Sequence, residues 1–303
     1  MQGVAHYLFR RIYQVALQGP DALMGIQFGN VRNDETAIRI AFSLEKKADS
    51  SPNKGTISLY NLNPKTRAAI SLGWRISLRV GYEGLNETIF VGKIGIINHT
   101  RAGPDIVTEC QVMEAYGALI MTPFSKSYPP MTHVAQVLRD IAESMNVDIG
   151  VVRDIPDTVY TKGIVLSGSC RDALNTVLKP LKMEASVSNS KLNILPLDRP
   201  FGTRAVVIGQ DTGMINTPSV EKRNVSFDAL LIPQLCVPGQ LVQVRTVNQL
   251  ATGFFKIRAV KIEGDTHDQR WNVSCNCARL EGVQEAPNVA QGLDFNAAIK
   301  GLL

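Results

Sequence analysis

The sequence predicts a mainly β protein with a small α+β unit inserted near its middle. Three observations carry this. Short segments of alternating apolar and polar residues, separated by Gly-, Asn- and Pro-containing turns, fill the chain before residue 117 and again after residue 200. Residues 118–200 change to apolar spacings of three and four. Finally, two strand groups superpose at a constant offset of 165 (275 − 110), which places Ile76 on Leu241, Phe90 on Phe255, Ile97 on Ile262 and Cys110 on Cys275. Strand side chains alternate with period two, so a fixed register keeps the same residues facing inward.

The elements follow in order. Residues 4–17, VAHYLFRRIYQVAL, set Val4, Leu8, Ile12 and Val15 at helical spacing and stop at Gly19-Pro20, predicting an N-terminal helix or arm over 1–20. A first β domain over 21–117 is read from segments 37–44, 56–60, 75–82, 88–97 and 106–114, with a short helix at 65–71 after the turn Asn61-Leu62-Asn63-Pro64. In the α+β unit, 118–200, Thr132 is the expected N-cap of a helix whose stripe is Val134, Val137, Leu138, Ile141 and Met145. Ser169 and Asp172 approximate a capping box for a second helix, with Leu174, Val177 and Leu178 as its stripe and Pro180 as its end. Asn189-Ser190 is a tight hairpin turn between segments 184–188 and 191–195. A second β domain over 201–281 is read from 205–208, 224–231, 239–247, 253–263 and 270–279, leaving a tail over 282–303.

Composition narrows the classes of function. A chain of 303 residues has room for about two domains. Its 45% apolar content is globular, and its 19% charged content lies below the roughly 25% of an average domain. Low charge fits a surface that contacts other protein. The net charge of +5 is spread along the chain and forms no basic arm. The stretch 229–244 is broken by Pro233 and Pro238, so no membrane anchor is expected, and Arg10 and Arg11 interrupt the only apolar stretch that a signal peptide could use. Five cysteines without a C-x-x-C predict reduced thiols in a protein made in a cytoplasm.

Candidate chemistry is sparse. Cys170, at a helix start with His133 in the same unit, has the ingredients of a nucleophile, against which stands an ordinary buried cysteine. Cys275 and Cys277 point to one side of a strand and, with His267, offer three zinc ligands at most. Asp265, His267 and Asp268 form a polar loop cluster. Arg75 with Arg79, and Lys256 with Arg258, make short basic faces without the stacking aromatics that nucleic-acid binding needs. Glu109 and Glu114 are the acids a cell-wall hydrolase would draw on. Tyr82 and Tyr128 are the aromatics that a receptor-binding module would expose. The expectation is no catalytic residue, no cofactor and no metal.

The runs SPNKGTISLYNLNPKTRAAI, RISLRVGYEG, TIFVGKI and DIVTECQV resemble the first domain of tailed-bacteriophage baseplate hub proteins, with matching positions at 51–62, 80–84 and 89–94. MTHVAQVLRDIAESMNV and the following 163–195 resemble that family's small α+β domain. PGQLVQV and GFFKIRAVKIEGDTHDQRWNVSCNCARL resemble its closing β domain, although Asp265 here precedes His267. The likeness covers residues 25–280. It implies two tube-like antiparallel β-barrel domains flanking the α+β domain, and a homotrimer whose six β domains ring a lumen through which DNA passes without specific binding. Its implied partners are the tail tube protein, the central spike protein, and other baseplate and tape-measure proteins. Its place is the virion, in the phage tail baseplate, after assembly in the host cytoplasm. It carries over no site residues.

Overall fold

The computed structural model describes residue 8 and residues 10–20, 25–31 and 37–280. Tyr13, Val15 and Leu17 are buried while Gln14, Ala16 and Gln18 between them are less so. This is period two, and the segment is strand β1 (Arg11–Gln18), not the expected helix. The helical spacing of Ile12 and Val15 coexisted with a strand pattern one residue out of step, and pairing on both edges decided between them. Residues 1–7 of the expected arm and the tail 282–303 lie outside the described residues.

β2 (Gly25–Gly29), β3 (Ile40–Lys47) and β4 (Asn53–Tyr60) follow. Helix α1 (Pro64–Ala69) is capped by Asn63, whose Oδ1 accepts from the Thr66 amide at 2.8 Å. β5 (Arg75–Tyr82), β6 (Leu85–Ala102) and β7 (Asp105–Glu114) form a meander. The middle of the chain holds β8 (Pro123–Tyr128), β9 (Thr132–His133), α2 (Val134–Met145), β10 (Asp148–Val152), β11 (Val159–Tyr160), β12 (Ile164–Ser169), α3 (Cys170–Leu178), β13 (Met183–Ser188) and β14 (Lys191–Pro196). Strands then return as β15 (Val206–Ile208), β16 (Ser219–Glu221), β17 (Asn224–Leu230), β18 (Leu241–Val244), β19 (Gly253–Asp265) and β20 (Trp271–Arg279).

The middle segment builds its own apolar core from the stripes the sequence marked. Val134, Val137, Leu138, Ile141 and Met145 of α2 face Leu174, Val177 and Leu178 of α3, over Ala185, Val187, Leu192 and Ile194 of the β13–β14 hairpin. Both hydrogen bonds of the Ser169–Asp172 capping box are present. Asn189 and Ser190 both have positive φ (52° and 66°), the conformation of a two-residue type I′ turn. One cap differs. His133 is the N-cap of α2, and the Thr132 hydroxyl instead donates to the Pro129 carbonyl at 2.8 Å.

The large sheet has thirteen strands in the order β16-β17-β20-β19-β3-β4-β7-β6-β5-β1-β2, with β18 on β19 and β15 on β18. The architecture is thus mainly β with an α+β insertion. The pairings follow an open path and close no barrel among the described residues. They join the first and last thirds of the chain at one antiparallel junction, β3 with β19, from Ala41–Asp265 to Lys47–Ala259. A single apolar core, including Ile40, Leu44, Ile57, Phe255 and Val273, runs beneath both parts.

The internal repeat is a repeat of pairing. In β6–β7 the register slips between Ile94–Val112 and Ile96–Gln111. In β19–β20 it slips between Ile257–Cys277 and Ala259–Asn276. The two bulges coincide when β7 maps to β20 at 165 and β6 maps to β19 at 163 (257 − 94). Cys110 therefore corresponds to Cys275 as expected, but Ile97 corresponds to Val260 and Phe90 to Gly253. The cause is turn length. Ala102 pairs with Asp105 around two residues, whereas the Asp265 amide donates to the Arg270 carbonyl around four.

At the junction Gly264 lies opposite Phe42 on one side and Trp271 on the other. Phe42 and Trp271 meet edge to face at 5.5 Å, and a Cβ on Gly264 would come within 2.3 Å of the Phe42 ring. Gly264→Ala is expected to lower stability by about 1–3 kcal/mol through overpacking, read as a shifted urea midpoint at unchanged slope.

Candidate functional site

The residues singled out for chemistry do not converge. Cys170 is buried, and burial raises its thiol instead of activating it. His133 is exposed and sits 3.1 Å from Asp157. Cys275 and Cys277 are buried in β20, where loss of solvent pushes both thiols up. Among the described residues, no three His, Cys, Asp or Glu side chains are grouped to hold a metal. Glu109 and Glu114 lie on opposite faces of β7, because an odd separation on a strand reverses direction. Tyr82 and Tyr128 are buried, not exposed, and the Tyr128 hydroxyl donates to Asp140 at 2.8 Å. No described helix is long and apolar enough to cross a membrane.

The basic pairs also read differently in three dimensions. Arg75 and Arg79 are exposed on β5, and Arg79 donates to Asn86 Oδ1 at 2.7 Å. Lys256, by contrast, is fully buried, and its Nζ lies 2.6 Å from Glu184 of β13 and 2.9 Å from the Pro196 carbonyl. Arg258 reaches the other Glu184 oxygen at 3.2 Å. These residues clamp the middle unit to the sheet. A second buried clamp involves Glu114, whose carboxylate accepts from Asn53 Nδ2 at 2.7 Å, while the same amide group reaches the Val187 carbonyl at 2.9 Å. Lys46, also buried, donates to the Ile89 carbonyl at 3.0 Å. Burial pushes the Glu114 carboxyl up and the Lys46 ammonium down, and the opposite charge of each resists the other's shift. Sequence reasoning missed all four charged side chains as interior groups. For Lys46 and Glu114 the signal was position, since each falls on the apolar phase of an alternating strand, whereas Glu184 and Lys256 lie on the opposite phase and are buried only where the middle unit meets the sheet.

The surface that the fold presents as one extended feature is the polar face of the sheet. Residues directly opposed across a ladder share a face. The register therefore gives a row Asp228–Ser274–Lys261–Glu45–Lys54–Met113 and a second row Leu230–Asn272–Glu263–Ser43–Thr56–Gln111, each crossing six strands and the junction. Neutral polar and charged side chains share these two rows, and the charges in them are held locally. Lys261 lies 3.0 Å from Glu263, Lys54 lies 3.9 Å from Glu45, and Ser274 Oγ donates to Asp228 at 2.6 Å. A groove of about 480 Å³ on this face is lined by residues that include Glu45, Lys47, Asp228 and Lys261. Nothing here activates a nucleophile. The face offers a long hydrophilic wall, and past Met113 its first row continues through the exposed cations Lys93 and Arg75.

The Asp265 cluster closes one end of that wall. Arg39 Nη2 donates to Asp265 at 2.9 Å, and the His267 amide donates to the same carboxylate at 2.9 Å. The Arg11 guanidinium binds the carbonyls of Asp265, Asp268 and Gln269. The cluster is a turn lock. Burial opposes the Asp265 charge, but the hydrogen bonds from Arg39 and the His267 amide outweigh it and hold the carboxyl below the usual range. A depressed folded pKa contributes stability above the unfolded value, near 3.9, and that contribution vanishes as pH falls through the folded value. Asp265→Asn is therefore expected to destabilise the chain at pH 6 and to approach wild type near pH 3, checked by urea unfolding at both.

Comparison with known proteins agrees with this picture of a wall-building chain. A model of the family "Baseplate hub gp41" matches residues 69–277. No curated protein sequence matches the chain. Among solved structures, a 43 kDa tail protein of prophage MuSo2 from Shewanella oneidensis is similar with a TM-score of 0.60 at 9% identity, covering 88% of this chain and 98% of that one. A tail protein from Neisseria meningitidis gives 0.61 at 7% identity, covering 88% and 96%. An E. coli type VI secretion system component, described as structurally similar to T4 bacteriophage tail proteins gp27 and gp5, gives 0.55 at 12% identity, covering 83% and 76%. The structures share the fold. The family match spans well over half of the sequence, and the chain belongs to the baseplate hub gp41 family, a structural component of the phage tail.

Proposed function

We propose that three copies of this chain form a ring that joins the six-fold tail tube to the three-fold central spike. The observation that carries this reading is the repeated, identically bulged β6–β7 and β19–β20 pairing within one sheet. Two look-alike units per chain let a three-fold assembly offer six similar positions. The tail tube protein then meets one side of the ring and the central spike protein the other, with other baseplate and tape-measure proteins around them. The two domains act as tube segments, 21–117 and 201–281, and the 118–200 unit is clamped beside them.

The polar face is the lumen wall in this reading. DNA passing along it should not stick. Affinity for a phosphate backbone grows with each lysine or arginine that neutralises a phosphate, and on this face Lys54 and Lys261 already sit beside carboxylates. The chain acts as a scaffold and not as an enzyme, is assembled in the host cytoplasm with its thiols reduced, and resides in the virion. A cell-wall hydrolase would need converging carboxylates, and a receptor-binding module would need exposed loop aromatics. Glu109 with Glu114, and Tyr82 with Tyr128, are poor material for either.

Light scattering of the purified chain, alone and mixed with the central spike protein of the same phage, tests the reading. The expected mass is about three times the 33.1 kDa of one chain. A persistent monomer under both conditions would overturn the ring.

A further inference from the structure

The junction between the two parts of the sheet is built from strands that have counterparts elsewhere in the chain, and those counterparts present open edges. β19 pairs first with β18 and then, over Ala259–Asp265, lies between β20 and β3. β6 pairs first with β5, up to Lys93, and then with β7 over Lys93–Ala102. No described strand pairs with its other edge beyond Lys93. The counterpart of β3 is β16. Gln111 pairs with Thr56, which pairs with Ser43. Asn276, equivalent to Gln111 at 165, pairs with Ser226, which pairs with Ser219. Ser43 thus corresponds to Ser219, and β16 ends the sheet.

The open edge on β6 is long. Residues 96 and 98–102 are exposed, and Ile96 shows 47% of its surface. The stretch Ile96-Ile97-Asn98-His99-Thr100-Arg101-Ala102 contains neither proline nor lysine, the residues that usually blunt a free strand edge. All three residues of β16 are exposed as well. An edge of this kind calls for a covering strand, and the same chain already supplies one at β3–β19.

We propose that the β6 edge at residues 98–100 of one copy pairs antiparallel with β16, residues 219–221, of a second copy, in the register of the internal junction. This rests on the ring reading above and assigns its subunit contact. Glu263–Ser43 becomes Thr100–Ser219, and Lys261–Glu45 becomes Asn98–Glu221, an amide facing a carboxylate. At the internal junction the Thr266 amide donates to the Ile40 carbonyl at 3.0 Å and the Ala48 amide to the Arg258 carbonyl at 2.8 Å. Even-numbered residues therefore carry that ladder, and Glu263–Ser43 is a close pair without mutual backbone bonds. Pro218 takes the place of Phe42 and has no amide to give, so the copy-to-copy ladder stops there, in keeping with the short β16. The contact is head to tail, so every copy uses one edge of each kind, as a closed ring requires.

Cysteine pairing tests the register in the full-length chain. Pairs without mutual backbone bonds bring Cα atoms to about 4.5 Å, within disulfide range. The variant Thr100→Cys/Ser219→Cys, mildly oxidised, should run on a non-reducing denaturing gel as linked dimers and trimers that collapse on reduction. Each single variant should run as a monomer, and the mispaired Thr100→Cys/Glu221→Cys should lose the linked species. Asn98→Cys/Glu221→Cys is a second in-register pair with the same expected result. Light scattering of the same samples separates the two readings. Trimers without in-register linkage would overturn the edge assignment alone, and monomers throughout would overturn the ring as well.

Discussion

The antiparallel ladder between β3 and β19 is the contact on which the rest depends. Without it the chain would hold two small sheets with four raw edges. With it, one apolar core extends under both, and one polar face extends over both. The local details serve this ladder. Gly264 has no side chain so that Phe42 and Trp271 can close over it from neighbouring strands. Arg39 and Arg11 reach from segments far apart in sequence to hold the turn that follows, using a buried carboxylate and three carbonyl oxygens. The longer turn of the second repeat supplies those acceptors. Its shorter counterpart at Gly103-Pro104 has no such partner, and no described strand covers the β6 edge beside it.

Period-two alternation explains how a chain with few charges can be apolar beneath and hydrophilic above. Small neutral side chains such as Ser43, Thr56, Ser274 and Asn276 cover much of the polar face, so charge is not needed for solubility there. Several of the charges are instead placed as pairs. Lys256 and Glu184 are out of water together, and removing Glu184 would strand the buried ammonium, a loss that typically reaches about 3–5 kcal/mol, whereas Glu184 without Lys256 would keep Arg258. Such a pair is better at fixing position than at adding net stability. Here it sets the middle unit on the sheet, alongside the Asn53 and Glu114 contacts with the β13–β14 hairpin.

Much of this was legible in the sequence where local rules act alone. The capping box at Ser169, the Asn189-Ser190 turn and the bounds of β5 follow from hydrogen bonds and dihedral preferences within a few residues. The order of strand motifs resembled baseplate hub proteins, and the family match agrees. What could not be read depended on distant partners. β1 carries both a helical and a strand pattern, and only its neighbours β2 and β5 select the strand. Lys46 and Lys256 look like solvent-facing residues until Ile89, Glu184 and Pro196 are placed around them. Tyr82 and Tyr128 sit at strand ends, where burial is decided by what packs above. The repeat was found at the correct offset for β7 and β20, and missed by two residues for β6 and β19, because a turn-length change is silent in an alignment of alternating strands.

Hydrogen–deuterium exchange of the isolated chain tests the joined sheet most directly. Central strands exchange only through large-scale opening, whereas edges exchange through fraying. The account predicts that the amides of Phe42, Leu44 and Lys46 in β3, and of Val260 and Ile262 in β19, exchange as slowly as those of β4 and β7. Fast exchange at these positions, with the two parts of the sheet opening separately, would contradict it.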